Sequence, residues 1–195
     1  MRRAGFALSA IIGAACLVSG TALARDENPL SALFNPSPAQ VQEGRPLASA
    51  IPREIVPYGG RYAPGTIIIS TSERRLYFVL GDGQAIKYGV GVGRPGFEWA
   101  GSRYISSKRE WPDWTPPRQM LRRRPDLPRH MEGGMDNPLG ARAMYISGTL
   151  YRIHGSNEPE SIGHAVSSGC IRMTNDDVTD LYDRVHVGTR VVVMR

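Results

Sequence analysis

The chain has 195 residues, with 24 basic against 18 acidic side chains and a formal net charge of +6. This length suits one domain with short extensions and argues against two domains. The positive charge is too mild to indicate a nucleic-acid partner, although it is compatible with an anionic matrix such as a cell wall.

The first 24 residues have the pattern of a secretory signal peptide. Arg2 and Arg3 precede an apolar run over residues 4–18, and Ala22-Leu23-Ala24 supplies small residues for cleavage. The run is shorter than the ~20 apolar residues that a membrane-spanning helix needs, which disfavours a retained anchor. A lipoprotein signal at Cys16 is disfavoured because the three residues before it include no large aliphatic side chain. We therefore predict export and cleavage after Ala24.

Cleavage would leave a single cysteine in the mature chain. It would remove Cys16 together with two arginines, so the formal charge would fall from +6 to +4 (6 − 2). Cys170 would then be alone in an oxidising compartment, where cysteines normally pair. Such a thiol is either a small buried hydrophobe or a reactive group, and the residues around it have to decide.

Residues 25–60 are typical of a linker or an ordered wrap. No apolar period is visible there, and proline recurs at Pro29, Pro36, Pro38, Pro46, Pro52 and Pro57. We expect the folded domain to occupy residues 61–195.

Three β-rich segments begin this domain. Strands are predicted at residues 66–70, 75–80 and 85–92, with Gly81-Asp82-Gly83 as a hairpin turn, so a three-stranded meander is expected. The alternating glycines at 89, 91 and 93 indicate a close backbone approach or a bulge rather than a phosphate loop.

Residues 94–142 are dense in proline, glycine, tryptophan and arginine. A loop region of this length inside a compact domain is typical of a lid or a binding loop. Trp111 and Trp114 are more typical of packing anchors, and residues 122–124 of a solvated face. We therefore predict a lid-like region without assigning a role to any one residue.

The C-terminal part contains a second hairpin and the clearest helix. The hairpin is predicted from residues 143–147 and 150–154, which places His154 at a strand end. Thr174 is predicted to cap a helix whose apolar face is formed by positions 178, 181, 182 and 185, and residues 190–194 form a last strand. The predicted fold is mainly β, a sandwich or partly closed barrel of mixed strands with one helix near the C-terminus.

Ser167-Ser168-Gly169-Cys170 places a thiol directly after a glycine and shortly before the predicted helix. Gly169 would let a substrate backbone approach without a Cβ clash. The amides of Gly169 and Cys170 could stabilise a developing oxyanion, an effect of ~3 kcal/mol elsewhere. His154 is a candidate base for the thiol, with the carbonyl of Gly155 to orient its ring.

Other interpretations stay open on these residues alone. Cys170 with His154 and His164 could bind zinc, although one thiol and irregular spacing disfavour this. A buried structural cysteine is a serious alternative. His130 lies in the lid-like region without an evident partner, and His186, like His164, is typical of a surface or packing position.

The segment from His154-Gly155 to Ser167-Ser168-Gly169-Cys170-Ile171-Arg172-Met173 resembles the signature of the L,D-transpeptidase catalytic domain, often called the YkuD domain. Residues 66–93, 108–117, 137–140 and 172–177 also look like their counterparts in exported members from Gram-negative bacteria. Many members have histidine where this chain has Ser168, which leaves the role of that side chain in substrate binding open.

The resemblance implies a role for each motif residue. Cys170 would be the nucleophile, His154 the general base and Gly155 the source of the orienting carbonyl, while Gly169 and Cys170 would supply oxyanion amides. Arg172 looks like the motif arginine of the family, which would hold the loop or bind a substrate carboxylate.

The implied reaction is acyl transfer on peptidoglycan stem peptides in the periplasm, without a metal or an organic cofactor. Cys170 would attack the carbonyl of the third residue, typically a diaminopimelate, and release the terminal D-alanine. The acceptor would be an amine of another stem, which gives a 3-3 crosslink, or a lysine of an envelope protein. Water as acceptor would make the protein an L,D-carboxypeptidase. A catalytically silent wall-binding protein is the alternative from a different class, disfavoured by the retained Cys170 and His154.

Overall fold

The computed structural model describes residues 51–195. The predicted signal peptide, its cleavage site after Ala24, Cys16 and residues 25–50 of the predicted linker lie outside the described residues. Among the helices of the described part, none combines the length and the apolar character needed to cross a membrane.

The described residues form eleven strands and two α-helices. The strands are β1 (Glu54–Pro57), β2 (Ile67–Ser70), β3 (Arg75–Val79), β4 (Gln84–Gly89), β5 (Val92–Gly93), β6 (Gly101–Glu110), β7 (Arg142–Ile146), β8 (Arg152–His154), β9 (Ala165–Ser167), β10 (Ile171–Arg172) and β11 (Arg190–Met194). The helices are α1 (Arg118–Arg123) and α2 (Asn175–Arg184), and Pro159–Ser161 forms a 3₁₀ turn.

One mixed sheet contains nine of these strands in the order β1-β4-β3-β2-β11-β6-β7-β8-β10. The predicted meander is confirmed, because β2, β3 and β4 pair antiparallel in sequence. Asp82 and Gly83 have φ values of 57° and 68° in the β3–β4 turn, as a tight hairpin requires. Parallel pairs join β11 to β2 and β10 to β8.

The sheet curls so that its two ends approach each other. The chain leaves β4 and meets β10 at Gly91, whose amide and carbonyl bond the carbonyl and amide of Arg172 at 2.9 and 2.8 Å. A Cβ on Gly91 would lie 2.8 Å from the carbonyl oxygen of Ser161, so the close approach predicted for the alternating glycines is confirmed. The predicted mainly β fold with a partly closed arrangement of mixed strands is likewise confirmed.

Two segments contain more regular structure than the sequence indicates. Strand β1 lies within the predicted linker and pairs with β4, so the sheet begins before residue 61. The prediction that residues 94–142 are a long loop is wrong in part, because they contain the ten-residue strand β6 and the short helix α1. Strand β6 pairs with β11 on one side and β7 on the other, and only Ile105 of its side chains is buried.

Helix α2 begins and packs as predicted. The Oγ1 of Thr174 accepts a hydrogen bond from the amide of Asp177 at 3.2 Å, which caps the first turn. Val178, Leu181 and Val185 are fully buried against the sheet. The core beneath them is built from apolar side chains of β2, β3, β4, β7, β8, β10 and β11.

Candidate active site

A cleft of about 280 Å³ opens between the end of β8, the β9–β10 turn and the segment that precedes β7. Both residues expected to carry chemistry, His154 and Cys170, lie in its wall. The cleft is lined by Phe97, Trp114, Pro117, Gln119, Met120, Arg123, Pro138, Leu139, Leu150, Tyr151, Arg152, His154, Ser167, Ser168, Cys170 and Arg172. The topology thus joins residues 16 positions apart at one site.

The imidazole of His154 is buried and held in one orientation. Its Nδ1 lies 2.6 Å from the carbonyl oxygen of Gly155, and because a carbonyl can only accept, Nδ1 carries the proton. Nε2 is then the basic nitrogen. Burial, together with the positive charges of Arg172 and Arg152, lowers the pKa of His154 to about 3, although the Gly155 carbonyl acts in the opposite direction. The ring is therefore neutral at pH 7, with a free lone pair on Nε2.

Gly155 has no room for a side chain. A Cβ there would collide with Oδ1 of Asn175, an atom that accepts a hydrogen bond from the amide of Ala141 at 2.9 Å. The amide of Gly155 in turn donates to the carbonyl of Arg142 at 3.0 Å. The carbonyl that orients His154 is thereby fixed from two sides.

The turn that carries Cys170 is fixed by its own residues. The hydroxyl of Ser167 donates to the carbonyl of Cys170 at 2.6 Å and accepts from the amide of Gly169 at 3.1 Å. Gly169 has a φ of 107°, and its carbonyl accepts from Trp99 Nε1 at 3.0 Å. The indole of Trp99 stacks on Tyr151 with ring centroids 5.2 Å apart, so an aromatic pair supports the turn from outside.

The two amides expected to bind the oxyanion differ in their hydrogen bonding. The amide of Gly169 is already bonded to Ser167, whereas that of Cys170 donates no hydrogen bond within residues 51–195. Cys170 is partly exposed rather than buried in the core. The alternative of a structural core cysteine therefore loses its main support, and Cys170 is the amide donor available in the cleft.

Ser168 and Arg172 lie on either side of Cys170 with separate partners. Ser168 Oγ accepts from Arg94 at 3.3 Å. Arg172 Nη1 donates to Glu158 Oε2 at 2.7 Å, which ties β10 to the loop before the 3₁₀ turn. Of the two jobs expected for Arg172, this contact favours holding the loop.

The remaining histidines lie away from the cleft. His164 and His186 are exposed, and His130 Nδ1 is 3.5 Å from Thr115 Oγ1 in the lid-like region. No group of three or more His, Cys, Asp or Glu side chains suited to a metal ion occurs among residues 51–195.

Two residues that shape the site carry no local sequence signal. Tyr151 and Trp99 support the Cys170 turn through contacts that span up to 70 positions of sequence. Asn137 is buried, and its side-chain amide donates to the carbonyls of Pro112 and Glu132 at 3.0 and 2.9 Å. It thereby closes the lid-like segment, of which Trp114 lines the cleft while Trp111 is exposed at the surface.

The structure is thus that of a mainly β domain, a partly closed mixed sheet that places a cysteine and a neutral histidine in one cleft. The chain belongs to the family of the L,D-transpeptidase catalytic domain (YkuD), whose model matches residues 64–193. It is 40% identical over 137 residues to the probable L,D-transpeptidase ErfK/SrfK of Escherichia coli K12, which covers 66% of this chain and 43% of that protein. The chain therefore spans less than half the length of that relative.

Solved structures share the fold. An L,D-transpeptidase from Mycobacterium smegmatis superposes with a TM-score of 0.54 at 19% identity, over 67% of this chain and 58% of its own. A Brucella melitensis protein described as a probable carnitine operon oxidoreductase superposes with a TM-score of 0.51 at 45% identity, over 75% of this chain and 96% of its own. The Brucella protein is described by a different activity, although it is more similar in sequence to this chain than the mycobacterial enzyme is.

Proposed function

We propose that the protein is an L,D-transpeptidase that acts on peptidoglycan stem peptides through a thioester on Cys170. The observation that carries the proposal is that one cleft holds the Cys170 thiol and the imidazole of His154, fixed through Nδ1 so that Nε2 can act as base. Membership of the L,D-transpeptidase family over residues 64–193 supports this chemistry.

In the first half-reaction, the sulfur of Cys170 attacks the carbonyl carbon of the third stem residue and His154 Nε2 takes the thiol proton. The carbonyl oxygen becomes an oxyanion, which the Cys170 amide stabilises. Collapse breaks the peptide bond to the terminal D-alanine, whose nitrogen receives the proton from His154. The products are free D-alanine and a thioester.

In the second half-reaction, an amine of another stem attacks the thioester and His154 accepts its proton. The carbon–sulfur bond breaks, the thiolate is reprotonated, and a 3-3 crosslink forms. A lysine of an envelope protein is a chemically equivalent acceptor, and water would give an L,D-carboxypeptidase. Neither half-reaction draws on a metal or an organic cofactor.

The proposal extends to the whole chain. Residues 1–24 act as a cleaved signal peptide that directs the protein to the periplasm. Residues 25–60 lead into the domain and contribute β1 to its sheet, and residues 61–195 contain the rest of the catalytic unit. The apolar run of the first residues and the match over residues 64–193 support this organisation.

The test is mass spectrometry of disaccharide-tetrapeptides incubated with the purified protein and, as a control, with Cys170→Ala. We expect dimers that are lighter by one alanine than two donors, and none with the variant. Loss of alanine without dimers would indicate hydrolysis, and an unchanged digest would refute both enzymatic functions.

A further inference from the structure

The side chains that line the cleft carry a positive charge. Three arginines, Arg123, Arg152 and Arg172, line it, and no aspartate or glutamate is among its lining residues in the described part of the chain. Arg172 is already engaged in an ion pair with Glu158. His154 is neutral at pH 7 because burial lowers its pKa. Two of the arginines that line the cleft, Arg123 and Arg152, therefore have no acidic partner among the described residues.

Arg152 lies on the same face of β8 as the histidine. Alternate residues of a strand point to the same side, so Arg152 and His154 both reach the cleft. The guanidinium lies over the ring of Tyr145, with its carbon 5.1 Å from the centroid, and Nη1 donates to the carbonyl of Leu150 at 3.3 Å. Its Nε is buried with no hydrogen-bond partner. The group is held in place with donors left unused.

Arg123 approaches the cleft from the lid side, as the last residue of α1. Its side chain makes no hydrogen bond, ion pair or ring contact with any residue between 51 and 195. Its neighbour Arg124 is in contrast bound to Asp126 through three hydrogen bonds. Arg122 is exposed on the same helix and does not line the cleft.

We propose that Arg123 and Arg152 bind a free carboxylate of the stem peptide and so select its acidic over its amidated form. The inference rests on the proposed function, because it names a recognition element for the same substrate. A guanidinium presents a planar fork of donors that matches a carboxylate, and such charge-assisted bonds are about twice as strong as neutral ones. The carboxylates considered are those of the two residues on either side of the bond that breaks, on the diaminopimelate side chain and on the terminal alanine.

The experiment compares three tetrapeptide donors: one fully acidic, one amidated on the diaminopimelate and one amidated on the terminal alanine. Values of kcat/KM are measured for the wild type, Arg123→Gln, Arg152→Gln and the matched control Arg122→Gln. We expect the wild type to prefer the acidic donor about tenfold or more over one of the amides. The position of the amide in the disfavoured donor identifies which carboxylate is bound.

The arginine variants should lose this preference mainly through a higher KM, while Arg122→Gln keeps it. Arg152→Lys should recover part of the preference, since it keeps the charge but not the fork. The inference is overturned if the wild type treats all three donors alike, or if Arg123→Gln and Arg152→Gln discriminate as well as Arg122→Gln does.

Calorimetric titration of the same donors into Cys170→Ala separates recognition from chemistry. If the wild type converts none of the donors, the proposed function fails, and binding still decides the role of the arginines. If Cys170→Ala binds the acidic donor more tightly and Cys170→Ala/Arg123→Gln does not, the proposed role of the arginines is supported. Equal binding of all donors overturns that role.

Discussion

Replacement of Gly169 by alanine should disturb both the stability of the domain and the position of its thiol. Gly169 has a φ of 107°, which costs an L-residue ~1–3 kcal/mol. A Cβ there would overlap the ring of Tyr151, whose Cδ1 would be 2.8 Å away, and such overpacking costs ~1–3 kcal/mol. Because Tyr151 is stacked on Trp99, it has little freedom to move away. The expected loss in the free energy of unfolding is therefore ~2–6 kcal/mol.

Gly65→Ala is the matched control. Its φ is 83°, and a Cβ there would meet nothing within 4 Å, so the variant measures backbone strain without overlap. Thermal unfolding should place Gly169→Ala clearly below Gly65→Ala, since each kcal/mol shifts Tm by ~2–4 °C at this size. Acylation by a carbapenem, followed by mass spectrometry, should be slowed in Gly169→Ala alone. Equal Tm values and equal acylation of the two variants would refute the role of the Tyr151 contact.

Three further predictions concern Cys170, His154 and Thr174. Cys170→Ala should form no adduct with a carbapenem in mass spectrometry, and a persisting adduct would exclude it as nucleophile. The pKa of His154 falls from 6.5 in the unfolded chain to about 3 in the folded protein, so the unfolded chain binds more protons between these values. Folding should therefore weaken as pH falls through this window, by ~2 kcal/mol at pH 5, and His154→Gln should lack that component in denaturant titrations at pH 5 and 7.5. Parallel pH dependence in both proteins would contradict this. Thr174→Ala should cost ~1 kcal/mol in the same titrations, and an unchanged midpoint would show that the cap contributes nothing.

Local patterns in the sequence predict the elements whose stability is local. Helix α2 follows from a cap, acidic residues in its first turn and one apolar face, and each of these acts within four positions. The β3–β4 hairpin follows in the same way from a turn that requires positive φ. Such elements can be read from sequence because their determining contacts are between neighbours.

Strand β6 could not be predicted because its stability is not local. Residues 101–110 show no regular alternation, and Ile105 is the only side chain of the strand that is buried. The strand persists because its backbone is paired on both sides, with β11 and β7, which lie far away in sequence. Because both faces of the strand are largely exposed, it tolerates polar residues. The hydrophobic pattern that indicates a strand is therefore missing.

In the candidate site too, the local motif could be predicted from the sequence and the long-range contacts could not. The motif predicts that His154 and Cys170 act together, and the structure places both in one cleft. What fixes the two groups is less visible: Asn175 fills the space beside Gly155, and Tyr151 fills the space beside Gly169. Each of the two glycines is adjacent to a chemical group and is packed against a side chain from another element.

The geometry of the thiol and imidazole is therefore set mainly by the backbone. The ring of His154 is aligned by a carbonyl and the sulfur of Cys170 by a turn, and both backbones are locked where no Cβ fits. Neither group relies on a charged partner to be oriented, since Arg172 is paired with Glu158 instead. Because the imidazole is neutral and the thiol is held by the backbone, the charge of the cleft comes mainly from Arg123 and Arg152, which have no acidic partner among the described residues. Arg123 can thus be changed without altering the reacting groups, whereas a change at Arg152 also acts on the pKa of His154.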